Sequence, residues 1–249
     1  MLCYIYHIEM TQIYFIVLIF LAAGFTQGVS GFGSALVAMP LLLLFIDAKT
    51  AVPLCMLNGL IITAFLSLQL RRHVDWRKIS PLLIGCMPGI YVGARFLKEA
   101  DSNLIKLLLG VMLVSYALYN MFCKPRPRRI APFWPYIAGF FTGVIGSAFS
   151  AGGPPTIIYT TLTGWDKDDI KATLSVFFFT TGIFMASAHA LAGLTTTAVL
   201  RYFSVSAAFV LLGVVAGSFW YGKVKRETYL KIILNLLVVM GGMMIFSAL

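Results

Sequence analysis

Two long apolar segments of the chain are each interrupted by glycine, serine and proline. The interruptions lie in residues 24–40, GFTQGVSGFGSALVAMP, and in residues 139–155, GFFTGVIGSAFSAGGPP. A shift of 115 positions superimposes three glycines, a valine and a proline. Glycine and proline break helices, and lipid tolerates freed backbone groups only inside protein or beside a polar cavity. Paired interruptions in two halves therefore predict a transporter's binding site.

The composition excludes an ordinary soluble globular domain. Hydrophobic residues make up 60% of the 249 residues and charged residues 11%, whereas soluble domains carry about 25% charged residues. We therefore predict an all-α, polytopic helical membrane protein with about 8 to 10 membrane segments, some of them broken by glycine and proline. The net charge of +10 is typical of basic loops at a membrane surface and does not indicate nucleic-acid binding.

The duplication predicts two repeats within a single membrane domain. We expect the first repeat at residues 1–123, a basic, Pro-rich linker at 124–133 and the second repeat at 134–249. Glycine pairs with small-xxx-small spacing recur at matching places, and such pairs let helix backbones approach closely in lipid. They are Gly24 and Gly28, Gly89 and Gly93, Gly139 and Gly143, and Gly213 and Gly217. This spacing predicts helix packing, not ligand binding.

Most of the positive charge lies in three basic loops, at 71–78, 124–129 and 223–226. If each interrupted segment is a single crossing, the third loop lies opposite the other two. If each is a re-entrant hairpin or two short spans, the chain returns to the side where it entered and all three loops share one side. We expect the second arrangement, with the loops in the cytoplasm. The two repeats are then inverted relative to each other.

The candidate site residues cluster at the two interruptions. A helix that starts inside the membrane exposes unpaired N–H groups and the positive end of its dipole, which attract anions. Ser34 and Ser150 are expected to be the N-caps of two such helices, which would face each other near the bilayer centre. The predicted substrate-binding residues there are Gln27, Ser30, Gly31, Gly33, Ser34, Ser147, Ser150, Gly152, Gly153 and Thr156, and the predicted helix-breaking residues are Pro40, Pro154 and Pro155.

Several of these assignments have alternatives. The small residues at the interruptions could serve helix packing alone. Asn58, near the centre of an apolar span, is expected to contact substrate or to bridge helices. His189 could carry a coupling proton or be a packed neutral histidine. Arg95, the other possible coupling residue, could neutralise an anion or extend to the membrane surface. Thr181 is expected to bond to its own helix.

The chain contains no recognisable catalytic motif. It has no HExxH, no GxSxG and no phosphate-binding GxxxxGK[ST] loop, which are the motifs that mark several enzyme classes. We therefore expect no enzyme activity, no cofactor and no metal. The expected partners are a small anionic substrate and the lipid bilayer, with the chain as a monomer or a homodimer.

The chain resembles the sulfite exporter TauE/SafE family, also called toluene sulfonate uptake permeases. The resemblance covers about residues 12–248 and rests on the duplicated interruption leading to Pro40 and Pro155, on GGPP at 152–155 and on RRHVDWRK at 71–78. The first copy reads GFGS at 31–34, where the family usually has consecutive glycines. The resemblance implies transport of sulfur oxyanions such as sulfite, or of sulfonates such as sulfoacetate, across the bacterial plasma (inner) membrane. Some relatives are thought to carry carboxylates.

The expected function is secondary transport of a small anion. Rocking of one half against the other would expose the site alternately to each side of the membrane, and the expected coupling is to protons. One alternative is a permease or channel for carboxylates or other small anions. Another is a membrane accessory subunit that does not itself transport.

Overall fold

The fold is all-helical in the part of the chain that the structure describes. This computed structural model describes residues 2–70, 74–123, 130–163, 165, 167–221 and 226–248. These residues form ten helices: α1 Leu2–Ser30, α2 Ser34–Leu42, α3 Ala48–Gln69, α4 Trp76–Glu99, α5 Ser102–Phe122, α6 Trp134–Phe149, α7 Gly153–Leu162, α8 Lys167–Leu191, α9 Thr197–Trp220 and α10 Arg226–Ala248.

Six of the described helices are long and apolar enough to cross a bilayer, namely α1, α3, α4, α5, α8 and α9. This confirms the prediction of a polytopic helical membrane protein. The short helices α2 and α7 have nine and ten residues. At about 1.5 Å per residue they cover roughly half of the ~30 Å hydrocarbon core. Neither can cross the membrane by itself.

Each short helix folds back along the helix before it. Just after α2, the Phe45 ring stacks on Phe15 of α1 with centroids 4.7 Å apart, and the Phe45 carbonyl accepts from Gln12 Nε2 at 3.4 Å. In the second half, the hydroxyls of Thr142 in α6 and Thr156 in α7 are hydrogen-bonded. Both interrupted segments therefore fold as helical hairpins.

The third helix of the first half, α3, and the third helix of the second half, α8, run in opposite directions. Lys49 at the start of α3 donates to the Lys98 carbonyl at the end of α4, at 3.0 Å. Lys78 at the start of α4 forms a 2.7 Å ion pair with Asp169 at the start of α8. The third helix of one half, α3, therefore begins at one end of the molecule, and its counterpart α8 begins at the other. This is the geometry of an inverted repeat.

The basic loops themselves are described only in part. Residues 71–73, 124–129 and 222–225 lie outside the described residues, so the expected cytoplasmic position of the three loops stays a prediction. The division into repeats at 1–123 and 134–249 also stays a prediction.

The glycine pairs join the two halves. A Cβ added to any of these eight glycines would lie 2.1–2.6 Å from a backbone carbonyl oxygen of the opposing helix. The pair in α4 faces the pair in α6, and the pair in α1 faces the pair in α9. The predicted role of these pairs in helix packing is confirmed. The first helix of each half thus packs against the fourth helix of the other half.

We expect Gly89→Ala to destabilise the protein by about 1–3 kcal/mol or more, because the new methyl group overpacks the contact between α4 and α6. A Cβ at Gly89 would lie 2.2 Å from the Phe140 carbonyl oxygen, whereas a Cβ at Gly242 in α10 meets nothing within 4 Å. Thermal unfolding in detergent should therefore separate Gly89→Ala from the control Gly242→Ala. Equal stability of the two variants would contradict a tight contact between α4 and α6.

Candidate functional site

A cavity of about 90 Å³ is lined by residues of both hairpins. A water occupies roughly 30 Å³ in the liquid, and drug-sized ligands need about 300–1,000 Å³, so this volume suits an anion of a few heavy atoms. No charged side chain is among the described residues that line it. The lining residues are Gln27, Phe32, Gly33, Ser34, Ala35, Leu36, Cys55, Met56, Gly59, Leu60, Thr63, Thr142, Gly146, Ser150, Ala151, Gly152, Gly153, Phe178, Thr181, Gly182 and Met185.

The first break is a tight turn that depends on glycine. Gly31 and Gly33 have φ angles of +85° and +95°, in the left-handed region that other residues rarely adopt. The Gly31 N–H donates to the Gln27 carbonyl at 2.7 Å. The Ser30 hydroxyl lies 2.7 Å from the Thr26 carbonyl oxygen, to which it donates. These bonds end α1 and turn the chain back into α2.

The second break uses different residues for the same reversal. Ser150 ends α6 with a φ of +56°, and its N–H donates to the Gly146 carbonyl at 2.8 Å. A Cβ on Gly152 would lie 2.6 Å from the Thr142 carbonyl oxygen. Glycine is required at position 152 because the backbone of the turn lies directly against α6.

The prediction of serine N-caps is wrong at both breaks. Gly33 is the N-cap of α2 and Gly152 is the N-cap of α7, and neither helix has a side-chain capping hydrogen bond. The physical reason is the left-handed φ at Gly33 and the close approach of Gly152 to α6. Ser34 is instead the first residue of α2, and its hydroxyl donates to Gln27 Oε1. With no side-chain cap, the first-turn N–H groups of α2, those of Ser34, Ala35 and Leu36, are available to a ligand. The first turn of α7 offers only the Gly153 N–H, because Pro154 and Pro155 carry none.

The cavity collects six of the eleven predicted substrate-binding residues. They are Gln27, Gly33, Ser34, Ser150, Gly152 and Gly153. The other five, Ser30, Gly31, Asn58, Ser147 and Thr156, do not line it. Ser30 and Gly31 form the back of the first turn, and Thr156 is hydrogen-bonded to Thr142. A role in substrate binding stays a prediction for all eleven.

Asn58 links two helices. Its side chain is fully buried, and its Nδ2 donates to the Leu54 carbonyl at 3.0 Å and to the Ser206 hydroxyl at 2.9 Å. Ser206 lies in α9, so the bond joins α3 to α9. This geometry matches the helix-bridging alternative for Asn58.

The two residues considered for coupling lie outside the cavity lining. Arg95 pairs with Glu99 at 2.8 Å, and both side chains are 64% exposed, which matches extension towards the membrane surface. His189 is fully buried, and its Nε2 lies 2.8 Å from the Ser147 carbonyl oxygen.

The predicted helix-breaking prolines lie after the breaks. Pro154 and Pro155 lie in the first turn of α7, where proline is tolerated, and Pro40 lies inside α2.

The sequence did not predict that residues in the middle of α3 and of α8 line the cavity. Thr181 donates to the Phe177 carbonyl at 2.8 Å, as expected, and it also lines the cavity. Gly59 in α3 and Gly182 in α8 line the cavity as well. Each is a small residue inside a long apolar helix. That is the only signal the sequence offers, and it does not separate cavity lining from ordinary packing.

In each half a long and a short helix form a hairpin, and both short helices start beside one cavity whose described lining is uncharged. Such an arrangement is typical of the substrate site of a membrane transporter. The chain belongs to the sulfite exporter TauE/SafE family, whose model matches residues 16–244. It is 24% identical over 182 residues to the probable sulfite/organosulfonate exporter TauE of Cupriavidus necator, an alignment that covers 71% of each chain. No solved structure matches the chain. The family resemblance is thereby confirmed, and a family of exporters agrees with the expectation that the chain is not an enzyme.

We expect Asn58→Ala to cost about 0.6–1.7 kcal/mol, the range measured for hydrogen bonds between membrane helices. In a double-mutant cycle with Ser206→Ala, the double variant should lose little more than either single variant. Asn120→Ala is the matched control, since Asn120 donates only within its own helix, to the Tyr116 carbonyl at 2.8 Å. Additive losses in chemical unfolding, or an equal loss in the control, would show that the bond to Ser206 does not stabilise the protein.

Proposed function

We propose that this chain is a secondary transporter of small sulfur oxyanions, of the class of sulfite and of organosulfonates such as sulfoacetate. The observation that carries the proposal is that α2 and α7, two helices capped by glycine, start at one uncharged cavity. The alternatives of a carboxylate permease and of an accessory subunit are outcomes of the test below.

The helix starts supply the attraction for an anion. Each helix N-terminus carries about half of a positive charge, and no carboxylate among the described lining residues opposes it. Most hydroxyls at the cavity are already engaged: Thr63 donates to the Gly59 carbonyl, Thr181 to the Phe177 carbonyl and Ser34 to Gln27 Oε1. The first-turn N–H groups of α2, the Gly153 N–H of α7 and the Gln27 amide N–H groups are therefore the proposed ligand donors.

The proposed preference for sulfur oxyanions is supported by sequence similarity to a relative. A helix N-terminus binds any compact anion, and the cavity volume of about 90 Å³ admits small carboxylates as well. The Cupriavidus necator relative is named as a probable sulfite/organosulfonate exporter. This name favours the sulfur oxyanions over carboxylates.

Transport is proposed to proceed by alternating access. Inverted repeats commonly work in this way, by rocking of one half against the other. Proton coupling belongs to the proposal. In proteoliposomes, an imposed pH gradient should then drive sulfite accumulation, and accumulation that ignores the gradient would exclude such coupling.

We expect Gly33→Ala to reduce sulfite flux in proteoliposomes at least tenfold, because a side chain at this φ strains the turn by roughly 1–2 kcal/mol and moves the start of α2. Gly193→Ala is the matched control: Gly193 also has a positive φ, of +75°, and a Cβ there meets nothing within 4 Å. Gly153→Val, at the second break, should abolish sulfite flux while the protein still inserts into the membrane.

Competition of sulfite flux by sulfoacetate, taurine and acetate then ranks the substrate classes. Normal sulfite flux in Gly33→Ala and Gly153→Val would exclude these turns from the pathway.

The three basic loops are proposed to face the cytoplasm of the bacterial plasma membrane. Cysteines placed at 75, 126 and 225 in a cysteine-depleted chain should all be protected from a membrane-impermeant maleimide in intact cells. All three should react after permeabilisation. Reaction of position 225 from outside, with 75 and 126 protected, would overturn the inverted arrangement.

A further inference from the structure

Helix α8 carries a buried basic side chain near each of its ends, and each contacts a different broken helix. Lys171 Nζ lies 3.4 Å from the Gly28 carbonyl oxygen of α1. His189 Nε2 lies 2.8 Å from the Ser147 carbonyl oxygen of α6. Gly28 and Ser147 hold equivalent places, since each is two residues before the last residue of its helix, Ser30 in α1 and Phe149 in α6.

Lys171 is enclosed at the end of α1. Its side chain is 6% exposed, and its stem lies against Gly31, where an added Cβ would be 2.9 Å from Lys171 Cγ. Its ammonium lies 3.5 Å from the centre of the Tyr221 ring, a favourable cation–π distance. The stem thus contacts the first break while the charge sits at the negative end of α1.

His189 is aimed at the end of α6. A carbonyl oxygen can only accept a hydrogen bond, so Nε2 must carry the proton that it donates to Ser147. Within the described residues, Nδ1 has no hydrogen-bond partner. The contact with α6 is therefore the hydrogen bond that orients this buried ring.

These two bonds satisfy a specific need of a broken helix. The last four carbonyls of a helix lack partners within it, and an unsatisfied carbonyl inside the membrane costs several kcal/mol. A basic donor at that position supplies the missing bond and a favourable interaction with the dipole. The turns that follow the two helix ends carry Gly33 and Gly152, the caps that line the cavity.

We infer that Lys171 and His189 are positioning residues that fix the two break turns, so that one helix, α8, sets the placement of both helix starts at the cavity. This inference rests on the proposed function only where transport is measured. Its structural content concerns backbone order at two separate segments.

The experiment compares amide hydrogen exchange, followed by mass spectrometry, in the segments 28–36 and 147–156 of the full-length protein. Lys171→Met should raise the exchange rate of segment 28–36 by ~10-fold or more and leave 147–156 unchanged, whereas His189→Leu should do the reverse. Lys171→Arg and His189→Gln keep a donor and should restore most of the protection. Lys171→Leu, which also lacks a donor, replaces Lys171→Met if the latter does not fold.

Lys49→Met is the matched control. Lys49 also donates to a carbonyl near a helix end, that of Lys98 at 3.0 Å, but α4 is not a broken helix and neither residue lines the cavity. This variant should leave both segments unchanged. In proteoliposomes, Lys171→Met should raise the sulfite KM several-fold more than it lowers the maximal rate, and Lys171→Arg should restore the KM.

The crossed pattern of exchange supports the inference even if sulfite does not move, a result that would count against the proposed function alone. Faster exchange in both segments of each variant would show general destabilisation and overturn the inference. Unchanged exchange in both segments would overturn it as well.

Discussion

The structure depends on the requirement that every backbone N–H and C=O group inside a bilayer has a partner. A break in a membrane helix leaves carbonyls at one side and N–H groups at the other. Here the carbonyl side of each break is bonded within the protein, by Lys171 for α1 and by His189 for α6. On the N–H side, glycine replaces a capping side chain at Gly33 and Gly152, and both glycines line the cavity. The two sides of each break therefore differ in chemistry.

Close backbone contact between the halves makes room for this arrangement. The four glycine pairs place α1 against α9 and α4 against α6 without intervening side chains, which packs the first helix of each hairpin against the other half. The bridge from Asn58 to Ser206 adds a polar link between α3 and α9. A site without charged lining therefore relies on helices from both halves to bring two dipoles to one small volume.

The sequence predicted where the helices break, but it did not predict the capping residues or the cavity-lining residues outside the breaks. Six residues at the breaks were predicted and do line the cavity, because clustered glycine and proline interrupt an apolar helix wherever they occur. The capping role of Ser34 and Ser150 was predicted wrongly, because propensity ranks serine above glycine at an N-cap whereas the local φ and the approach of α6 required glycine. Cys55, Thr63 and Thr142 were missed because nothing in a single apolar helix shows which face meets the cavity.

Composition, periodic glycine pairs and the duplicated breaks were enough to determine an all-helical membrane protein, the packing role of those pairs and the segments where the helices are broken, since each follows from local chemistry in lipid. The resemblance to the sulfite exporter TauE/SafE family was also readable in the residues. Only the tertiary structure decided that the segments fold as hairpins, that Asn58 bridges helices and that α8 contacts both breaks. These features join residues far apart in the chain, and their contacts depend on how the helices pack in three dimensions.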